Sequence, residues 1–222
     1  MIERTEYLNF LKKLKDKNII KVVTGIRRCG KSTLFELYKK YLLEKEDKKY
    51  LKEHKIALDL LGYILKKQYN IHLSNIEEEF IYDKYGKPYL KHYKNIHFNI
   101  SHCDGFVAVG VSNDPIGIDI EKVKACKEAM MKKILTDKEY QYLQMAECKE
   151  HAFFKFWTLK ESYLKWCGKG FSLNPKLVEF EFDERSILCS DISVHCEQRY
   201  IDSNCILSIV YKGKETINYE SL

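Results

Sequence analysis

The stretch from Phe98 to Glu121, FNISHCDGFVAVGVSNDPIGIDIE, constrains this chain more than any other. It holds two apolar runs, Phe106–Val111 and Ile116–Ile120, parted by Ser112-Asn113-Asp114-Pro115. Asn, Asp and Pro are turn chemistry, so the pattern predicts a hairpin of these two runs. Along the second strand alternate side chains share a face, which puts Asp119 with Glu121 and Ile118 with Ile120. Two carboxylates held side by side repel each other unless a cation sits between them. Hard oxygen ligands at this spacing suit Mg²⁺, which takes one or two carboxylates together with substrate phosphates. Taken alone, the same residues read equally well as a strand end with two solvated acids.

A second stretch, FWTLKESYLK over Phe156–Lys165, lacks Pro and Gly and consists of good helix formers. A spacing of four lines up Trp157, Glu161 and Lys165 on one helix face. In isolation this is an amphipathic helix with a solvent-facing Glu–Lys pair. Together with Asp119, Glu121 and His102, it supplies three carboxylates, a cation and an imidazole. That set fits a Mg²⁺–pyrophosphate site.

Bulk properties narrow the class. Of the 222 residues, 45% are hydrophobic and 32% charged, which favours a globular chain over disorder. No apolar run approaches the roughly 20 residues of a membrane-spanning helix. The opening MIERTEYLNFLKKLKDK alternates charge with apolar residues, unlike a signal or transit peptide, so a cytoplasmic location is expected. The eight Cys include no CxxC pair and no zinc-like cluster with His, and are expected to be reduced thiols. The net charge of +6 comes from Lys interleaved with Asp and Glu. That is a solvated surface rather than a nucleic-acid stripe, although it attracts acidic proteins and polyanionic cofactors.

Taken in order, Glu3–Asp16 reads as a short helix and Ile19–Thr24 as a strand. The strand runs into Gly25-Ile26-Arg27-Arg28-Cys29-Gly30-Lys31-Ser32, which matches G-x-x-x-x-G-K-[ST], and Ser32–Leu43 follows as a helix. Such a loop cradles phosphates with backbone amides, and Lys31 reaches them. No series of alternating strands and helices follows to build a parallel sheet. Tyr50–Tyr69 reads as a helix with a core stripe of Ile56, Leu60, Leu61, Ile64 and Leu65. Phe80–Tyr82 and Ile96–Ser101 read as strands, with a turn at Tyr85-Gly86-Lys87-Pro88 between them. Ala125–Tyr142 is helical and broken near Leu135, where Thr136 and Glu139 have capping-box spacing. Ala146–Trp166 is a helix stopped by Gly168-Lys169-Gly170. Leu177–Phe182, Ile192–Cys196 and Ile206–Tyr211 close an antiparallel sheet.

Four motifs in order then carry a resemblance: Gly86-Lys87-Pro88; Phe98-Asn99-Ile100-Ser101-His102; Gly117-Ile118-Asp119-Ile120-Glu121; and Trp157-Thr158-Leu159-Lys160-Glu161-Ser162 with Lys165. From about Lys45 onward the chain resembles the 4′-phosphopantetheinyl transferases of the surfactin-synthetase-activating type. The segment Arg4–Glu44 resembles the opening of an AAA-type ATPase. The resemblance implies an α+β fold, a pseudo-twofold pair of helix-flanked antiparallel sheets. Its first half would cover residues 45–113 and its second half residues 114–222, after a phosphate-loop fragment over 1–44.

The activity implied is transfer of 4′-phosphopantetheine from coenzyme A to a serine of an acyl or peptidyl carrier protein. Asp119, Glu121 and Glu161 would hold Mg²⁺. Glu161 would take the serine proton and Lys165 would stabilise the leaving phosphate. Lys87, Ser101, His102 and Lys165 would hold coenzyme A, with Lys48, Lys49, Lys52 and Lys55 as further basic candidates. The expected partner is the carrier protein, met by a monomer, without nucleic acid or membrane. Two other readings are a P-loop ATPase, with Ile116–Glu121 as its acidic strand, and an inactive fusion remnant.

Overall fold

A computed structural model describes residues 53–183, 186–212 and 217. The phosphate-loop stretch Gly25–Ser32, its flanking strand and helices, and Lys48, Lys49 and Lys52 lie outside the described residues. Lys55–Leu222 form one compact unit.

Its first layer is a helix over residues 53–69 (α1) packed on two hairpins. The α1 side chains Leu61 and Leu65 bury against Ile71, Leu90, Ile96 and Phe98. Ile56, expected in the stripe, is 45% exposed, and Ala57 is buried in its place. Strand β1 (Phe80–Tyr82) pairs antiparallel with β2 (Pro88–Leu90) around a turn in which Gly86 takes φ +86°. Strand β3 (His97–Cys103) pairs antiparallel with β4 (Phe106–Ser112) around Asp104-Gly105. Gly105 sits at φ +88°, a left-handed conformation that costs glycine little.

That pairing corrects the expected hairpin. β4 turns back on β3, not forward onto the next strand, β5 (Ile116–Lys122). β5 instead pairs antiparallel with β9 (Cys205–Tyr211), which also pairs with β8 (His195–Asp202), in the order β5-β9-β8. The reason is burial. Ile116 to Ile120 is buried at every position, Gly117 and Asp119 included, so both faces are covered. A strand buried on both faces needs a partner buried likewise, and Cys205 to Val210 is buried throughout. One face of this pair, with Ile116, Ile118, Ile120, Leu207 and Ile209, meets Phe106 and Ala108 of β4. The outer edge of β5 lies along β3, where side chains take the place of a backbone ladder. Ile118 N donates to Asn99 Oδ1 at 2.9 Å and Ile120 N to Ser101 Oγ at 3.2 Å.

The other face of β5 and β9 carries the helices. Helix α2 (Glu128–Ile134) ends before Thr136, which opens α3 (Asp137–Met145) with the expected capping box. Helix α4 (Lys149–Cys167) starts three residues later than expected and ends at Gly168, whose φ is +70°. Strand β6 (Phe180–Phe182) pairs with β7 (Ile187–Cys189), a strand not anticipated, and β8 begins at His195 rather than Ile192. Phe153, Phe156 and Leu159 of α4 fill the core with Leu143, Phe180 and Ile206. The architecture is therefore α+β, with α1 over one antiparallel hairpin pair and α4 over the β5-β9-β8 sheet.

Lys160 falls at a spacing where Phe153, Phe156 and Leu164 are apolar, and it too is fully buried. Its Nζ pairs with Glu139 Oε2 at 2.8 Å and donates to the carbonyls of Pro175 and Val178. Burial pushes the ammonium below its usual range and Glu139 pulls it back. Glu139 also accepts from the Thr136 and Phe180 amides, so both charges are fully engaged. Lys160→Met is expected to cost about 3–5 kcal/mol in urea unfolding, because a buried carboxylate loses its cation. Adding Glu139→Gln should recover more than half of that loss. No recovery would mean that the pair is not the source of the cost.

Candidate active site

The polar side chains singled out in the sequence come from β3, β5 and α4. Asp119 projects from the α4-facing side of β5, opposite Ser208 in the β5–β9 register. Lys165, in the last turn of α4, places Nζ 2.7 Å from Asp119 Oδ1 and 3.0 Å from Ser101 Oγ. Ser101 Oγ itself donates to Asp119 Oδ1 at 2.9 Å. The three groups form one buried cluster. The Asp119 side chain is 6% exposed and that of Lys165 is 27% exposed, so Lys165 is the member of the pair that meets solvent.

Gly117 sets this separation. A Cβ on Gly117 would run into the carbonyl oxygen of Ser162 and come within 2.5 Å of the Trp166 amide nitrogen. Only glycine lets β5 lie this close beneath α4. The helix is held in register by a buried polar network on its other residues. Thr158 Oγ1 and Ser208 Oγ are 2.7 Å apart, and Ser162 Oγ donates to Ser208 O at 2.9 Å. Gln198 Nε2 donates to Ser208 Oγ at 2.9 Å and to Lys155 O at 2.8 Å. The stretch Trp157–Ser162 thus splits by face. Thr158, Lys160 and Ser162 anchor the helix, which leaves Glu161 and Lys165 toward the site. Trp157 stacks on Phe153, with ring centroids 6.1 Å apart.

Glu161 is pushed up from 4.5 to about 7 by burial, reinforced by the Asp119 carboxylate and opposed by the Lys165 ammonium. The Glu121 carboxylate adds a smaller rise. Glu121 is half-buried, with Lys124 Nζ at 3.5 Å, a surface pair that contributes little. Among the described residues no three His, Cys, Asp or Glu side chains already converge at ligating distances. The donor set nevertheless suits a hard divalent cation on two counts. Asp119 Oδ2 is buried without a hydrogen-bond partner. Glu161 feels two neighbouring carboxylates that a cation would quiet.

His102 follows Ser101 on β3 and so lies on the opposite face of the pleat. It is not brought into the Asp119 cluster by strand geometry. Lys87 lies in the β1–β2 turn, and its Nζ donates to the carbonyls of Lys165 at 2.6 Å and Trp166 at 3.2 Å. Lys55 is exposed on α1. Sequence reasoning placed Gly117, Asn99 and Lys160 in its motifs but gave none of them a role. For Lys160 a signal existed, a charge at an apolar position of the helical period.

Part of this region is similar to a known family. Residues 115–206 match the model of the 4′-phosphopantetheinyl transferase superfamily. That span contains Asp119, Glu121, Glu161 and Lys165. Particular relatives agree. The chain is 40% identical over 116 residues to the 4′-phosphopantetheinyl transferase gsp of Aneurinibacillus migulanus, covering 50% of this chain and 48% of the relative. It is 36% identical over 116 residues to the 4′-phosphopantetheinyl transferase Sfp of Bacillus subtilis strain 168, covering 51% of each. Against the 4′-phosphopantetheinyl transferase HetI of Nostoc, identity is 30% over 147 residues and 61% of each chain. The chain spans about half the length of the first two of these relatives.

Proposed function

We propose that this protein transfers 4′-phosphopantetheine from coenzyme A to a serine of an acyl or peptidyl carrier protein. The observation that carries the reading is the Asp119–Ser101–Lys165 cluster beside Glu161, of which Asp119, Glu161 and Lys165 fall within the span that matches the transferase superfamily. The serine Oγ attacks the phosphorus on the pantetheine side of the pyrophosphate. The bond from that phosphorus to the bridging oxygen breaks, and adenosine 3′,5′-bisphosphate leaves.

Asp119, Glu121 and Glu161 would hold Mg²⁺. When bound, the ion would supply positive charge next to the pyrophosphate. Glu161, raised toward neutrality, is matched to taking the serine proton as the new bond forms. Lys165 holds its ammonium beside Asp119 and Ser101 and stabilises the departing phosphate. Ser101 and His102 orient coenzyme A. Residues 1–44, with the phosphate-loop pattern, stand as an appended segment before halves over 45–113 and 114–222. The protein is proposed to act as a monomer in the cytoplasm, without nucleic acid or membrane. The seven described cysteines are free thiols, which suits a reducing compartment. Among the described residues no helix is long and apolar enough to cross a membrane.

The test is a mass spectrum of a purified apo carrier protein after incubation with this protein, coenzyme A and Mg²⁺. The carrier should gain one phosphopantetheine, and a chelator should prevent it. Absence of the gain with several different carriers would remove the reading.

A further inference from the structure

Lys87 is far from α4 in sequence, yet its ammonium sits on the carboxyl end of that helix. It donates to Lys165 O at 2.6 Å and Trp166 O at 3.2 Å. The last carbonyls of a helix have no amide of the helix to bond, and they carry the negative end of its dipole. Lys165 O also accepts from the Gly168 amide, at 3.2 Å. The Lys87 ammonium therefore answers a need that the helix itself creates.

The turn around Lys87 is built to hold it there. Asp83 Oδ1 accepts from the Tyr85 and Lys87 amides at 2.8 and 2.9 Å, and Asp83 N donates to Lys87 O at 3.0 Å. Tyr89 OH reaches Asp83 Oδ2 at 3.4 Å. The Lys87 stem crosses Gly168 so closely that a Cβ there would lie 3.1 Å from Lys87 Cδ. Burial pushes the Lys87 ammonium below its usual range, and Asp83 opposes the shift. The side chain is thus packed and bonded along its whole length.

We propose that Lys87 is a positioning residue, which caps the carboxyl end of α4 and thereby holds Lys165 against Asp119 and Ser101. This role differs from a direct grip on coenzyme A, because two of the three ammonium protons already go to helix carbonyls. The carbonyl it holds belongs to Lys165 itself. Loss of the cap frays the last turn, and Lys165 Nζ then loses its fixed place at 2.7 Å from Asp119.

The kinetic part of the test rests on the transferase reading; the exchange part does not. Lys87→Met keeps the stem and removes the cation. Amide exchange at residues 164–168 should speed up by about tenfold, with α1 unchanged. Transfer should show kcat lowered by about tenfold and KM for coenzyme A within about twofold of the original. Lys87→Arg should restore most of kcat, because a guanidinium can also donate to both carbonyls. Asp83→Ala, which removes the acceptor that orders the Lys87 turn, should lower kcat in the same direction. The loss should be equal with coenzyme A and with dephospho-coenzyme A. A raised KM with unchanged kcat and unchanged exchange would overturn the proposal, as would a loss confined to coenzyme A with its 3′-phosphate. If the unaltered protein transfers nothing, the transferase reading fails, and the exchange at 164–168 alone decides the role of Lys87.

Discussion

Glu161→Gln is expected to lower phosphopantetheine transfer by at least about 10²-fold, the loss associated with removing a general base. The same substitution should stabilise the metal-free protein above neutral pH. The sign follows from the direction of the shift. In the folded chain Glu161 is raised from 4.5 to about 7, so the fold favours its protonated form. That contribution is complete below about pH 4.5, declines as pH rises, and is gone above about pH 7. The Gln side chain stays neutral and does not lose it. At pH 8 without metal, the variant should exceed the original protein by about 2–3 kcal/mol in urea unfolding, and below pH 4.5 the two should coincide. Added Mg²⁺ should stabilise the original protein at pH 8 and leave the variant nearly unmoved. A variant less stable at pH 8 than at pH 4, relative to the original, would show that Glu161 is not held near neutrality.

Gly117→Ala is expected to be as damaging as loss of a catalytic group, although one methyl is all that is added. The new Cβ meets backbone atoms of Ser162 and Trp166, not the far end of a flexible side chain. Relief must come from moving α4 away from β5. Overpacking of this kind costs about 1–3 kcal/mol, and a rigid backbone contact puts the cost at the upper end. The fraction that still folds carries Lys165 on a displaced helix. A displacement of about 1 Å lowers turnover by about 10²-fold, so transfer should fall even after correction for folded protein. Urea unfolding gives the first quantity, and initial rates normalised to folded fraction give the second. An Ala variant with unaltered stability and rate would mean that β5 and α4 are not in the contact described.

The two predictions act on different parts of one motif pair, and that division was only partly legible in the sequence. The residue types for the chemistry were visible. Asp119, Glu161 and Lys165 could be picked out as two acids and a base at strand and helix spacing. The structure joins Asp119 and Lys165 directly and also through Ser101. What could not be read was which neighbours serve the framework. Within Trp157–Ser162 the hydroxyls of Thr158 and Ser162 look like candidates for chemistry, yet both are spent on Ser208. Lys160 looks like a surface cation and is a buried ion-pair partner. Their roles depend on β9 and the 175–178 turn, which no local pattern connects to α4.

Strand pairing shows the same limit. The turn residues Ser112–Pro115 read as the turn of a hairpin; Asp114 N bonds Ser112 Oγ at 3.0 Å there, but the runs on either side do not pair with each other. A turn between two apolar runs suggested a hairpin, but the local signal for one lay eight residues earlier, at Asp104-Gly105. With both candidate turns adjacent, local chemistry could not choose. The choice fell to burial of β5 on two faces, which β4 could cover on only one.

By itself the sequence determined what depends on neighbours a few residues apart. That includes the capping box at Thr136 and Glu139, the stop of α4 at Gly168, and the alternation that puts Asp119 and Glu121 on one face of β5. These are settled by torsional preference and by hydrogen bonds within one or two turns. The tertiary structure alone decided that β5 lies between β3 and β9, that Gly117 sets the distance from Asp119 to Lys165, and that Lys87 reaches the end of α4. Each of these joins residues far apart in the chain. Such contacts form only where the burial of two whole surfaces outweighs the entropy of closing the loop between them.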